Sequence, residues 1–116
     1  MNMLTYFHNN RCSKSREGLT LVEQSGKPFQ IRNYLTEPLT AAELTQLLQQ
    51  LGITARQLLR TKEDAYQSMN LANPELSDIE LISAMLQEPK LIERPILSNG
   101  QQAVIGRPSE RLLELL

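Results

Sequence analysis

Residues 3–34 constrain this chain most, because they read as a strand, a helix and a strand joined by very short connections. Met3-Leu4-Thr5-Tyr6-Phe7-His8 is a run of strand formers that passes directly into the polar turn Asn9-Asn10-Arg11. A helical pattern opens near Cys12 and carries Leu19, Val22 and Glu23 to Ser25. Gly26 then stands where a helix C-terminal glycine belongs, with Pro28 just beyond it. Phe29–Tyr34 alternates Phe29, Ile31 and Asn33 against Gln30, Arg32 and Tyr34, the period of a second strand. A crossover of this length places the two strands parallel in one sheet.

The middle of the chain reads as helical. Thr40-Ala41-Ala42-Glu43 is a capping-box pattern, followed by Leu44, Leu47, Leu48 and Leu51 at one-face spacing and ended by Gly52. A short helical stretch at Ala55–Leu59 leads to Arg60. Ser77-Asp78-Ile79-Glu80 is a second capping box, opening a helix through Ile82, Met85 and Leu86 that Pro89 stops. The short apolar runs Ile96–Leu97 and Ala103–Ile105 flank Asn99-Gly100, a hairpin turn signal. Pro108 begins a last helix carrying Leu112, Leu113, Leu115 and Leu116. The order βαβ, helices, ββα predicts an α/β fold with a mixed four-stranded sheet, flanking helices and a helical insertion. It does not suit a doubly wound dinucleotide-binding sheet.

At 116 residues the expectation is a single domain, 1–116, and a 41% apolar share supplies a core without disulfides. A net charge of −1 argues against a general nucleic-acid binder, which carries a basic excess, while leaving room for a local arginine cluster around a small anion. No run approaches the roughly 18 apolar residues of a membrane span. One cysteine permits neither an internal disulfide nor a cysteine-only zinc site, so the expected compartment is reducing and cytoplasmic.

That cysteine is the leading candidate for chemistry. A free cysteine is most often a small buried hydrophobe, but Cys12 follows a strand, lies in a polar turn and starts a helix. Unpaired amide donors and the positive end of the helix dipole stabilise a thiolate there. His8, Arg11, Lys14 and Arg16 add nearby positive charge that lowers a thiol pKa. Cys12-Ser13-Lys14-Ser15 has the spacing of a Cys-x-x-Cys redox motif with serine in the second place. Ser15 can donate a hydrogen bond to a thiolate or a substrate oxygen but cannot close a disulfide, so an oxidised Cys12 needs a thiol from another molecule. A phosphatase-type loop fits poorly, because Arg16 falls too close to Cys12 for Cys-x-x-x-x-x-Arg. His8, the sole histidine, sits just before the thiol turn. One His and one Cys do not make a transition-metal site, and no bound cofactor is expected.

Arg60, Arg94 and Arg107 are the remaining candidates. Each alone reads as a surface arginine. Two of them stand in Arg94-Pro95 and Arg107-Pro108, where the following proline holds the arginine extended and permits a cis bond. Converging guanidinium forks suit a tetrahedral oxyanion.

With these residues assembled, the chain resembles the glutaredoxin-linked arsenate reductase family over essentially its whole length. The resemblance rests on Tyr6-Phe7-His8-Asn9-Asn10-Arg11-Cys12-Ser13-Lys14-Ser15-Arg16, on Gly52-Ile53 with Leu58-Leu59-Arg60, on Leu91-Ile92-Glu93-Arg94-Pro95-Ile96 and on Gly106-Arg107-Pro108-Ser109-Glu110. It implies a thioredoxin-like fold with a helical insertion, Cys12 as nucleophile, Arg60, Arg94 and Arg107 as the anion cradle, and His8 as an aid to thiol ionisation. It further implies reduction of arsenate to arsenite with glutathione as co-substrate and glutaredoxin as partner, in a monomer that binds neither nucleic acid nor membrane. Asn10 stands where the family usually has proline, which implies a less rigid thiol turn, and Leu116 falls short of the C-terminal extension of longer members. Two alternatives stay open: a non-catalytic regulator of the same fold that contacts RNA polymerase, and a thiol oxidoreductase with another substrate.

Overall fold

The structure, a computed structural model, describes residues 3–116; Met1 and Asn2, the start of the expected 1–116 unit, lie outside the described residues. The elements run β1 (Leu4–His8), α1 (Ser13–Gln24), β2 (Phe29–Asn33), α2 (Ala41–Leu51), α3 (Ala55–Leu58), α4 (Asp64–Ser68), α5 (Asp78–Gln87), a 3-10 turn at Pro89–Leu91, β3 (Ile96–Ser98), β4 (Ala103–Ile105) and a terminal 3-10 helix (Ser109–Leu115). The sheet order is β2-β1-β3-β4. β1 and β2 are parallel, with Tyr6 opposite Ile31 and His8 opposite Asn33, while β3 is antiparallel to both β1 and β4. This is the mixed four-stranded α/β architecture expected from the sequence.

The period of two within each strand divides the core between the sheet's faces. Tyr6, Leu97 and Val104 pack on one face with Leu4, Val22 and Leu112, under α1 and the terminal helix. Ile96 and Ala103 turn to the other face, where Leu44, Leu47, Leu58, Leu81, Met85 and Leu91 of the helical insertion cover them. The insertion helices are cut to length by local chemistry. Thr40, Thr54 and Ser77 each form a complete capping box with Glu43, Gln57 and Glu80, and Gly52 ends α2 in the left-handed conformation at φ +70°. Each such cap contributes about 1 kcal/mol.

Three differences from the sequence reading have local causes. The alternation in Phe29–Asn33 does not bury one face, and Ile31 remains 48% exposed, because β2 is an edge strand with partial cover. The expected last helix is 3-10 rather than α; residues three apart then eclipse, which puts Ser109 and Leu112 together against the core. The one-turn helix α4 has no buried residue and no apolar stripe, and so carried no periodic signal.

Close packing places the thiol helix against the strand that follows Pro95. A Cβ on Gly18 would lie 2.5 Å from Tyr6 Oη, 2.8 Å from Leu112 Cδ1 and 3.1 Å from Pro95 Cγ. A Cβ on Gly106 would lie 2.9 Å from Leu112 and Pro95. Both Arg94-Pro95 and Arg107-Pro108 are cis. Glycine at 18 and 106 lets α1, Pro95 and the end of β4 meet, and this brings the segments bearing Arg94 and Arg107 to the start of α1.

Candidate active site

The thiol turn is a self-contained hydrogen-bonded unit. Asn9 Oδ1 accepts from the Arg11 amide at 3.0 Å, the Cys12 amide donates to the Asn9 carbonyl at 3.0 Å, and the Arg16 amide donates to the Cys12 carbonyl at 3.1 Å. Cys12 is therefore the N-cap residue of α1, with extended backbone at φ −100° and no side-chain cap. Its thiol is partly exposed. Ser15 is fully buried one turn on. Its Oγ takes the Asn9 amide at 3.0 Å and lies 2.8 Å from His8 Nδ1, while its carbonyl accepts from Tyr6 Oη. The side chain of Ser15 thus serves the turn and faces His8 and Asn9.

His8 is 6% exposed. Burial, and then the charge of Arg16, hold its imidazole below its ordinary pKa, so it stays neutral at neutral pH. Its bond runs to Ser15, one residue removed from the thiol. Burial likewise pushes Tyr6 upward, against the smaller effect of its bond to Ser15, and leaves the phenol protonated.

The electrostatics of Cys12 combine opposing effects. Burial pushes the thiol up, but Arg94, as donor and as charge, and the amides of Ser15 and Lys14 outweigh it and hold the thiol below its ordinary value. The free amides of a helix start and a buried guanidinium act together on the thiolate. Arg107 adds an Nη2–Sγ contact of 3.6 Å across 95 residues of sequence. Here the structure corrects the sequence reading of nearby cations. Lys14 pairs with Glu17 at 3.7 Å and Arg16 donates to the Asn10 carbonyl at 2.9 Å, so the charges that act on Cys12 come from the far end of the chain.

All three candidate arginines come together. The bridge Leu59–Ile92, with Arg60 N donating to the Leu91 carbonyl at 2.8 Å and Glu93 N to the Leu58 carbonyl at 3.0 Å, sets Arg60 beside Glu93 and Arg94. Gly106 N donates to the Pro95 carbonyl at 2.8 Å, and Arg107 Nε donates to the Arg94 carbonyl at 2.7 Å, which adds Arg107. Two carboxylates that the sequence does not single out as site residues bind the group. Glu93 Oε1 takes Arg60 Nη1 at 2.9 Å and the Arg94 amide at 3.1 Å, and pairs with Arg107 Nε at 2.9 Å. Glu63 Oε1 pairs with Arg60 Nε at 3.3 Å and Arg94 Nη1 at 3.7 Å. Their only sequence signals are adjacency, Glu63 three residues after Arg60 and Glu93 directly before Arg94.

Arg94 is 9% exposed and gives one donor to the Lys90 carbonyl at 2.9 Å, while its buried Nε has no partner among the described residues. The buried Tyr34 Oη is also unpartnered, and burial raises the pKa of its phenol to about 12. Buried polar atoms without a partner are rare in folded proteins. A cleft of about 260 Å³, lined by Leu59, Arg60, Thr61, Lys62, Glu93 and Arg107, opens beside this cluster. Arg107 both lines the cleft and touches Cys12 Sγ, and so joins the open volume to the thiol. Among the described residues no group of His, Cys, Asp and Glu could hold a metal ion, and no helix is long and apolar enough to cross a membrane. The arrangement suits a nucleophilic sulfur attacking the centre of a small oxyanion held by arginine forks.

Comparison with known proteins points the same way. The chain is 46% identical over 117 residues to an arsenate reductase of Haemophilus influenzae, covering all of both chains. It is 49% identical over 111 residues to the uncharacterized protein YfgD of Escherichia coli, covering 95% of this chain and 93% of that one. Its structure matches the arsenate reductase of Vibrio cholerae with a TM-score of 0.94 at 45% identity, covering 99% of this chain and 98% of that one, so the fold is thioredoxin-like. The ArsC family matches residues 7–115, and with relatives this similar over their full length the chain belongs to the ArsC family.

Proposed function

We propose that this protein is an arsenate reductase in which Cys12 is the nucleophile and Arg60, Arg94 and Arg107 hold the substrate. The observation that carries the reading is a thiol at a helix N-terminus, held below its ordinary pKa, with Arg107 3.6 Å from its sulfur and Arg94 as its main stabilising cation. The arsenate reductases of Haemophilus influenzae and Escherichia coli, 46% and 40% identical to this chain over its whole length, support arsenate as the oxyanion.

In this mechanism arsenate docks with its oxygens on the guanidinium groups and the Cys12 thiolate attacks arsenic. The bond from arsenic to its hydroxyl oxygen breaks and that group leaves as water, taking a proton from solvent, to give a sulfur–arsenic(V) adduct. The arginines stabilise the charge that gathers on the remaining oxygens. The thiolate of glutathione then attacks the Cys12 sulfur, and the sulfur–arsenic electron pair passes to arsenic, which leaves as arsenite. Cys12 remains as a mixed disulfide with glutathione. Ser15 cannot resolve it, so glutaredoxin takes up the glutathione and frees the thiolate. His8 and Ser15 act as positioning residues: a neutral imidazole and a buried hydroxyl hold the turn that presents Cys12.

The test is arsenite production from arsenate with glutathione and glutaredoxin, with Cys12→Ser as control. Turnover by the wild-type protein and none by the variant is the expected result. Absence of turnover in wild-type protein that binds arsenate, or equal turnover in both proteins, overturns the reading.

A further inference from the structure

We infer that Glu93 makes this a site for oxyanions that still carry a hydroxyl group, which sets the substrate class of the reaction proposed above and rests on that reading. A carboxylate is an unexpected lining for an anion site, because it repels the ligand and competes for its donors. Glu93 nevertheless lines the cleft together with Arg60 and Arg107. Its protein contacts all run through one oxygen: Oε1 takes Arg60 Nη1 at 2.9 Å and the Arg94 amide at 3.1 Å, and pairs with Arg107 Nε at 2.9 Å. Oε2 accepts no hydrogen bond from the described residues, although the side chain is only 26% exposed. One oxygen therefore ties the arginines together, and the other, on a side chain that lines the cleft, has no donor among the described residues.

An ionised carboxylate can accept but not donate. A ligand meeting Glu93 gains a charge-assisted hydrogen bond if it presents a hydroxyl and suffers acceptor-to-acceptor repulsion if it presents only bare oxygens. Arsenate and phosphate carry a hydroxyl near neutral pH, whereas sulfate carries none. The charge count strengthens this selection. Glu63, Glu93 and the Cys12 thiolate offset the three arginines in formal charge and leave Lys62 as the excess cation of the cleft lining, so much of the attraction for a dianion is already offset. Discrimination then falls to hydrogen bonding at short range. Glu63 pairs with Arg60 and Arg94 but does not line the cleft, which provides an internal control.

The test measures protection of Cys12 from a neutral alkylating reagent by arsenate, phosphate and sulfate at one neutral pH, in wild-type protein, Glu93→Gln and Glu63→Gln. Wild-type protein is expected to need at least about tenfold more sulfate than phosphate for equal protection, the worth of one charged hydrogen bond. Glu93→Gln is expected to narrow that ratio by about tenfold, because the amide removes the charge and offers a donor to sulfate. Glu63→Gln is expected to shift both anions alike. Equal protection by phosphate and sulfate in wild-type protein, an unchanged ratio in Glu93→Gln, or the same narrowing in Glu63→Gln overturns the inference. Failure of any oxyanion to protect overturns it too. Preference for phosphate over sulfate without arsenate turnover overturns the reductase reading alone and leaves this inference standing.

Discussion

The thiol turn and the arginine cluster meet at one sulfur atom, yet they are held in opposite ways. In the turn every fixing bond is local: Asn9 to Arg11, Cys12 to Asn9, and Ser15 to Asn9 and His8. In the cluster the bonds join Arg60 to Glu93 across 33 residues and Arg107 to Cys12 across 95. The turn needs only short-range closure and a helix start to form. The cluster exists only once the Leu59–Ile92 bridge and the β3–β4 pairing are in place. The sulfur is presented locally and made acidic mostly from a distance.

Arg94→Ala strains this comparison most, since Arg94 belongs to the cluster but acts on the turn. A charged hydrogen-bonding group is worth roughly 1.5–3 kcal/mol, so kcat/KM for arsenate is expected to fall tenfold to a hundredfold. Burial would then act on Cys12 with less to oppose it. The midpoint of alkylation rate against pH is expected to rise from below the free-thiol value of about 8.5 toward that value. Because the folded thiol is depressed, its thiolate contributes stability above about pH 8.5 that is lost as pH falls through the folded midpoint. Arg60→Ala and Arg107→Ala should show the kinetic loss with a smaller shift of the midpoint, and lysine at any of the three should recover only part of it, lacking a two-pronged donor. An unmoved midpoint in Arg94→Ala would mean that the turn activates its own thiol.

Ser15→Ala tests the turn by itself. It strips partners from the buried His8 ring and the Asn9 amide, at a cost of about 1–3 kcal/mol in stability. Denaturant midpoints should show the loss, while KM for arsenate should change little because Ser15 makes no contact with the arginines. A large rise in KM would show that turn and cluster are not separable.

Gly18→Ala pushes on the joint between the two regions. The new methyl group meets Tyr6 Oη, Leu112 Cδ1 and Pro95 Cγ at 2.5–3.1 Å, all side-chain atoms that can shift somewhat. Overpacking of this kind costs about 1–3 kcal/mol, to be read as a lower Tm. An unchanged Tm would mean that Pro95 and Leu112 yield freely, and that the arginine segment is not held against α1 by this contact.

The smallest effect is expected from His8. Its folded pKa lies below the ordinary value of about 6.5, so the unfolded chain takes up the proton first as pH falls. Stability from the neutral ring is fully present above that value and is lost as pH drops through the folded pKa. Thermal scans between pH 7 and 5 should show this fall, and His8→Gln should flatten it.

What the sequence determined by itself was whatever closes within a few residues. Two of the three capping boxes, the glycine that ends α2, the Asn99-Gly100 turn and the placement of Cys12 at a helix start were legible because donor and acceptor lie within a turn or two of each other; the third box, Thr54 with Gln57, was found only in the structure. Arg60, Arg94 and Arg107 were legible as residues and, through the family resemblance, as a group. Their contacts were not, and neither Glu63 nor Glu93 stood out, since a glutamate beside an arginine is ordinary in any sequence. Even the choice of cation was misplaced: Lys14 and Arg16 are the nearer charges along the chain, but both turn to partners on their own helix or turn. Tertiary structure decided which charges face the sulfur, because Coulomb and hydrogen-bond energies depend on distance through space, and only packing at Gly18, Pro95 and Gly106 fixes that distance.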